Sequence, residues 1–339
     1  MIEMKMWQET QAVMGEVQRL HGLRQNAVIA LLYRIKGSSF RRPGAKLLIR
    51  EDGSFLGNVS GGCLEEDLRE RAMQVLASRE PVSVHYDTGS DEDTAWGLGL
   101  GCGGEVDLWL QPVYADQPLG VVAELLDRLD GEKAFAVQWG LSAESMMPIA
   151  ILPPDVLEEG ERTRVSEVAG RAFLEAFTPP PNLLLCGAGM DSDLLGTLGM
   201  ACGFRVTVID HRPAYLGSSP VPNRVRRRPE DGLDEVKVTD RTAVVVKSHA
   251  LNIDRGWAEF FAGTDAGYVG ILGPKHRRED VLKQVPDAAR SRFYGPAGLD
   301  VGGEGAEQMA LSILAEIFAV LNGRTPGHLR DREGSIHAS

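Results

Sequence analysis

Apolar positions along the chain recur in two rhythms, one helical and one extended. Trp7, Val13, Met14, Val17 and Leu20 fall at helical spacing and predict a helix over Met6 to His21. Ala27 to Ile35 is an apolar run that reads as a buried strand. Lys46 to Arg50 and Ser54 to Val59 flank Glu51-Asp52-Gly53, and Asp-Gly between two such runs predicts a hairpin. An amphipathic helix follows over Leu64 to Ala77, starting at Cys63, with Leu64, Leu68, Ala72, Val75 and Leu76 on one side. Strands are predicted at Pro81 to Tyr86, Glu105 to Val113, Lys133 to Trp139 and around Met147 to Leu152, with a helix over Leu119 to Leu129.

The texture changes at Pro153-Pro154. A charged segment and a helix near Val165 to Phe177 are expected there, before Pro179-Pro180-Pro181. A triple proline is stiff and makes a natural boundary. Beyond it, strand Leu183 to Cys186, helix Asp191 to Cys202 and strand Phe204 to Ile209 form the β–α–β opening of a doubly wound sheet. Further strands read at Thr242 to Val246 and Gly267 to Leu272. Helices read at Arg255 to Ala262, His276 to Gln284 and Glu304 to Asn322, with Gly323 as the last cap. The fold class is therefore α/β: a mixed α/β domain over 1–152, a linker over 153–181, a Rossmann-like doubly wound domain over 182–324 and a polar tail over 325–339.

Composition narrows the function. The 339 residues are 43% hydrophobic and 25% charged, which is ordinary for a globular chain. A net charge of −12 argues against nucleic acid and against an anionic membrane surface, since both reward clustered Lys and Arg. The one basic run, Arg224-Val225-Arg226-Arg227-Arg228, reads as a solvated loop or an anion contact. No stretch approaches the ~20 apolar residues of a membrane span, and the first twenty residues lack the pattern of a signal peptide. Four cysteines without C-x-x-C spacing suggest reduced thiols and a cytoplasmic protein.

Two glycine-rich stretches that each present a cysteine carry the candidate chemistry. The first is Gly57-Asn58-Val59-Ser60-Gly61-Gly62-Cys63-Leu64-Glu65, and the second is Trp96-Gly97-Leu98-Gly99-Leu100-Gly101-Cys102-Gly103-Gly104. Dense glycine lets backbone N–H groups turn towards one anionic ligand, which makes Gly61, Gly62, Gly101 and Gly103 candidate binding positions. A helix start at Cys63 would favour its thiolate, with Arg41 and Arg42 adding to this and Glu65 and Glu66 opposing it. Both cysteines offer a soft, ionisable sulfur. Cys186 and Cys202 read as inert core.

In the second half, Gly187 and Gly189 stand at a strand–helix turn. Asp210 ends the next strand, near the spacing of about 20 residues that a dinucleotide fold expects. Ser192 replaces the third small residue of that pattern, and Asp191 and Asp193 place negative charge where a phosphate would lie. His249 follows a strand at the ligand-binding edge of the sheet, and Lys275, His276, Arg277 and Arg278 follow another as a candidate anion pocket. These residues support an NAD(P)-dependent oxidoreductase or a nucleotide-sensing accessory protein.

The motifs together resemble the XdhC/CoxI family, the accessory factors of xanthine dehydrogenase and carbon monoxide dehydrogenase. The resemblance rests on Gly37-Ser38-Ser39-x-Arg41-x-Pro43-Gly44-Ala45-Lys46 and on the two glycine loops. It extends to Phe204 through Asp210 with Arg212-Pro213, to Tyr268-Val269-Gly270-x-Leu272-Gly273, to Gly298-Leu299-Asp300-Val301-Gly302 and to the helix Ala310 to Ile317. Met190 and Ser248 depart from the family, which has histidine and threonine there. The resemblance implies a protein that binds the molybdenum cofactor, works with a cysteine desulfurase while a sulfido ligand is installed, and delivers the cofactor to a molybdenum hydroxylase apoenzyme. It also implies a homodimer, and a chaperone rather than an enzyme, since no complete catalytic constellation stands in the sequence. On this reading Arg41, Lys46, Cys63 and Cys102 face the cofactor.

Overall fold

The computed structural model describes residues 5–87, 104–143, 150–158, 161–167 and 171–331. The chain divides into two compact units, with the division between Pro179 and Pro180 inside the proline run.

The first unit begins with helix α1 (Lys5–Gly22), strands β1 (Ala27–Gly37), β2 (Lys46–Arg50) and β3 (Phe55–Gly57), and helix α2 (Glu65–Ser78). It continues with β4 (Val82–Asp87), β5 (Gly104–Val113), α3 (Val122–Asp130), β6 (Phe135–Gly140), β7 (Ala150–Leu152), β8 (Thr163–Ser166) and β9 (Ala172–Phe177). Five strands form an antiparallel sheet in the order β3-β2-β1-β5-β4, and four form a second in the order β7-β6-β9-β8. The five-stranded sheet is covered on both faces. Val28, Ala30, Leu32, Leu47 and Ile49 pack on Leu68, Ala72 and Val75 of α2. Ile29, Leu31 and Leu48 pack with Val13, Met14 and Val17 of α1 and with Phe135, Val137 and Phe173 of the second sheet. Burial on both faces is why β1 reads as an unbroken apolar run.

One expected element is corrected. The helix anticipated near Val165 to Phe177 is two strands, β8 and β9, paired antiparallel and joined to β6 through Phe135↔Phe177 and Trp139↔Phe173. The span 153–181 therefore contributes half of the second sheet.

The second unit contains β10 (Asn182–Cys186), α4 (Met190–Ala201), β11 (Arg205–Ile209), α5 (Pro213–Ser218), β12 (Asn223–Val225) and β13 (Ala243–Val246). It is completed by α6 (Leu251–Ala262), β14 (Tyr268–Ile271), α7 (Lys275–Leu282), β15 (Phe293–Tyr294) and α8 (Ala306–Leu321). Its six strands are all parallel, in the order β12-β11-β10-β13-β14-β15. This is the 3-2-1-4-5-6 order of dinucleotide-binding folds, whose ligands sit outside the carboxyl ends of the strands. Helices α4 and α8 cover one face, with Leu195, Ile313 and Ile317, and α6 and α7 cover the other, with Trp257, Phe261 and Val281. Short α5, β12 and β15 lie below the reach of sequence periodicity.

Candidate functional sites

In the first unit the sequence motifs converge at one end of the five-stranded sheet. Gly37 at the end of β1 pairs with Gly104 at the start of β5, and a side chain on Gly104 would come within 2.1 Å of the Ser38 carbonyl oxygen. Glycine is required there by this close approach. Phe40, 70% exposed, lies over Gly61. The first motif thus meets the first glycine loop on one side and the end of the second on the other. Cys102, Gly101 and Gly103 lie outside the described residues.

The first loop is held by Ser60 and Glu65. The backbone N–H groups of Gly62, Cys63 and Leu64 donate to Ser60 Oγ at 3.0, 3.1 and 3.2 Å. Ser60 Oγ in turn donates to Glu65, whose carboxylate also accepts from the Ser60 N–H at 3.1 Å. These amides therefore close on a hydroxyl within the loop and do not point outward as an anion nest, because a serine two to four residues ahead satisfies them first. Helix α2 begins at Glu65, two residues after Cys63. Gly61 and Gly62 are exposed, and Cys63 is half-buried against the α2 side of the core.

Arg41 and Lys46 are turned inward. Arg41 pairs with Glu9 of α1. Lys46 is 1% exposed, and its ammonium donates to Glu175 at 2.8 Å, to Gly44 O at 2.7 Å and to Thr10 Oγ1 at 3.1 Å. It also lies 4.6 Å from the centre of the Trp139 ring. Both charges are engaged within the unit, whereas Phe40, Gly61 and Gly62 are exposed.

In the second unit the structure gathers Gly187, Gly189, Asp210 and His249 at the carboxyl edge of the sheet. Gly187 has φ +122°, and a side chain there would strike Lys247 O and the Ser248 Cα, both at 2.7 Å. Ser192 fits the third motif position by being buried and by donating to the Gly187 carbonyl. The close helix–strand approach falls instead at Gly199, where a side chain would meet Leu183 at 2.7 Å. Periodicity gave no role to Lys247, although a lysine ending the apolar run Ala243–Val246 was the available signal. Its buried ammonium lies 2.6 Å from Asp191 Oδ1 and donates to Ser192 Oγ at 2.6 Å. Burial pushes its pKa below the usual lysine value, against the pull of Asp191. Burial raises the Asp191 carboxyl while Lys247 lowers it further, leaving it below the usual carboxylate range. Lys247 thus balances the charge of Asp191, while Asp193 accepts from Ser219 Oγ at 2.7 Å.

Asp210 is engaged on all sides. Oδ1 accepts from the Arg212 N–H at 2.8 Å and Nε at 3.0 Å, and Oδ2 accepts from the Ala188 N–H at 2.8 Å and Arg212 Nη2 at 2.7 Å. Burial pushes this carboxyl up, but Arg212 and the two amides outweigh it and hold it below its ordinary value. His249 is exposed, takes φ +61°, and brings Nε2 to 3.8 Å from Asp191 Oδ2. Arg277 of the candidate anion pocket is bound to buried Asp254 at 2.5 Å, and Asp254 also accepts from Ser248 Oγ at 2.6 Å. Cys186 is fully buried, and burial pushes its thiol well above the ordinary value. Cys202 is half-buried against the α4 side of the core. Among the described residues no group of three or more His, Cys, Asp or Glu could hold a metal ion.

Residues 22–87 match the model of the XdhC and CoxI family, and residues 183–317 match the XdhC Rossmann domain. A Bacillus subtilis protein, described as a probable subunit of xanthine dehydrogenase, is 31% identical over 87% of this chain and 93% of its own length. The chain belongs to the XdhC and CoxI family. Another relative is the molybdenum cofactor insertion chaperone PaoD of Escherichia coli, 26% identical over 87% of this chain and 84% of its own. A crystal structure described as a xanthine dehydrogenase from Bacillus halodurans superposes with a TM-score of 0.73 at 28% identity, covering 92% of this chain and 96% of that one. The XdhC and CoxI model covers the first glycine loop, and the Rossmann model covers the Gly187 turn and Asp210.

Proposed function

We propose that this protein handles the molybdenum cofactor as cargo, supporting its sulfuration and its insertion into a xanthine dehydrogenase-type molybdenum hydroxylase. The observation that carries the reading is the gathering of the family motifs at one end of the five-stranded sheet, with half-buried Cys63 between exposed Gly61-Gly62 and the start of α2. The likeness to an insertion chaperone along most of both chains supports it. In this role Cys63 and Cys102 supply soft sulfur ligands to the molybdenum centre or receive its sulfur. Phe40 offers an exposed aromatic face on which a pterin ring can stack. The partners are the hydroxylase apoenzyme and a cysteine desulfurase in the cytoplasm, with a homodimer as the working form.

The test is retention. Protein loaded anaerobically with molybdenum cofactor and passed through gel filtration keeps molybdenum in the protein peak, measured by metal analysis. Cys102→Ala and Cys63→Ala each lower the molybdenum-to-protein ratio several-fold. Unchanged ratios in both variants remove the cysteine assignment, and an empty wild-type peak removes the cargo reading.

The second unit adds a nucleotide site to this proposal. The strand order, the Gly187 turn and the charge-balanced Asp191–Lys247 pair beneath it suit a nucleotide phosphate at the start of α4.

A further inference from the structure

Nucleotide choice in such folds is made at the end of the second strand, here Asp210, where a free carboxylate takes the ribose hydroxyls. A carboxylate has about four lone-pair sites, and at Asp210 two backbone amides and two guanidinium nitrogens of Arg212 are directed at them. No acceptor is left to distinguish a ribose diol. What faces outward is positive. The Arg212 guanidinium is a third exposed and stacks on the half-exposed Tyr215 ring at 3.9 Å. The neighbouring strand reinforces it. Asp210 N–H donates to Val225 O at 3.1 Å, so Arg226 leaves β12 directly beside Asp210. Arg226 Nε donates to His211 O at 3.4 Å, and its exposed guanidinium meets no carboxylate among the described residues. Arg227 and Arg228 are turned to Glu235 and Glu230. In a chain of net charge −12, Arg212 and Arg226 both stand at the carboxyl end of β11, where the ribose of a bound adenosine would lie.

Building on the nucleotide reading above, we infer that the second unit selects adenine dinucleotides carrying a 2′-phosphate, NADP(H) over NAD(H), with Arg212 and Arg226 as the specificity-determining residues. Arg212 presents its outer edge to the phosphate while Asp210 holds its inner edge, and Tyr215 beneath it fixes the guanidinium plane. Arg226 closes from the adjacent strand. Charge-assisted bonds of this kind are worth about a factor of ten in affinity.

The experiment is titration calorimetry of the full chain with NADP⁺, NAD⁺ and 2′,5′-ADP at low salt. NADP⁺ binds about tenfold or more tightly than NAD⁺, and 2′,5′-ADP competes with it. Arg226→Ala, a change at an exposed side chain, removes most of that preference by weakening NADP⁺ several-fold more than NAD⁺. Equal binding of the two dinucleotides overturns the 2′-phosphate inference while leaving the nucleotide site standing. Binding of neither overturns both. An Arg226→Ala variant that weakens both ligands equally, or neither, also overturns the assignment.

Discussion

At the scale of single residues, Lys46 and Glu175 form a buried ion pair inside the first unit. Lys46 is 1% exposed and Glu175 3%, and the desolvation of two such ions is severe. It is offset because each charged group has further partners: Thr10 and the Gly44 carbonyl for the ammonium, Trp139 Nε1 at 2.7 Å for the carboxylate. Removing one member leaves the other charged and buried. Lys46→Met is therefore expected to destabilise the first unit by about 3–5 kcal/mol. The double change Lys46→Met with Glu175→Leu recovers most of that loss, because it buries no charge at all. Chemical denaturation of the four-member mutant cycle checks this. A double variant as unstable as the sum of its singles would mean that the two side chains act separately.

At the scale of elements, burial on both faces decided what could be read. Ala27–Gly37 and the parallel strands of the second unit are near-continuous apolar runs and were legible as strands. Strand β9 was not. Phe173, Glu175 and Phe177 share one face of it, and the charge at the middle position breaks the alternation by which a strand is recognised. Phe173 and Phe177 also stand one helical turn apart, amid the helix formers Ala172, Leu174 and Ala176. Lys46, far away in sequence, makes that inward glutamate tolerable. The candidate sites divide in the same way. The glycine turns were visible locally, whereas the capture of loop amides by Ser60 and the filling of Asp210 depend on side-chain orientation. Helix α1 gives a pH-dependent test of packing between elements. Glu16 is held at about 2, against an ordinary 4.5, chiefly by its hydrogen bond to Arg19, and also by Arg50 of β2. The folded pKa is the lower one. Its contribution is therefore complete above 4.5 and is lost as pH falls through the folded value. Glu16→Gln is expected to flatten the acid limb of thermal stability in that window and to leave its shape near neutrality unaltered. An acid limb identical to that of the parent chain would assign the loss to other carboxylates.

At the scale of the whole molecule, the chain builds two sets of cores that do not share strands. The cores of the first unit draw on α1 to β9, and those of the second on β10 to α8. No sheet crosses Pro179-Pro180-Pro181 among the described residues. Each unit therefore has the requirements of independent folding: a closed hydrogen-bonding scheme and apolar cover on both faces of its central sheet. In the second unit the parallel sheet is covered by α4 and α8 on one side and by α6 and α7 on the other, and Tyr268 reaches across from β14 to bond Glu316 of α8 at 2.6 Å. A fragment spanning 180–331 is expected to fold alone, with near-ultraviolet circular dichroism from its fixed aromatic side chains and one cooperative thermal transition. The same transition should appear in calorimetry of the full chain, within a few degrees of its position in the fragment. A fragment with no cooperative transition would show that the second unit depends on the first for its stability, despite owning its entire sheet.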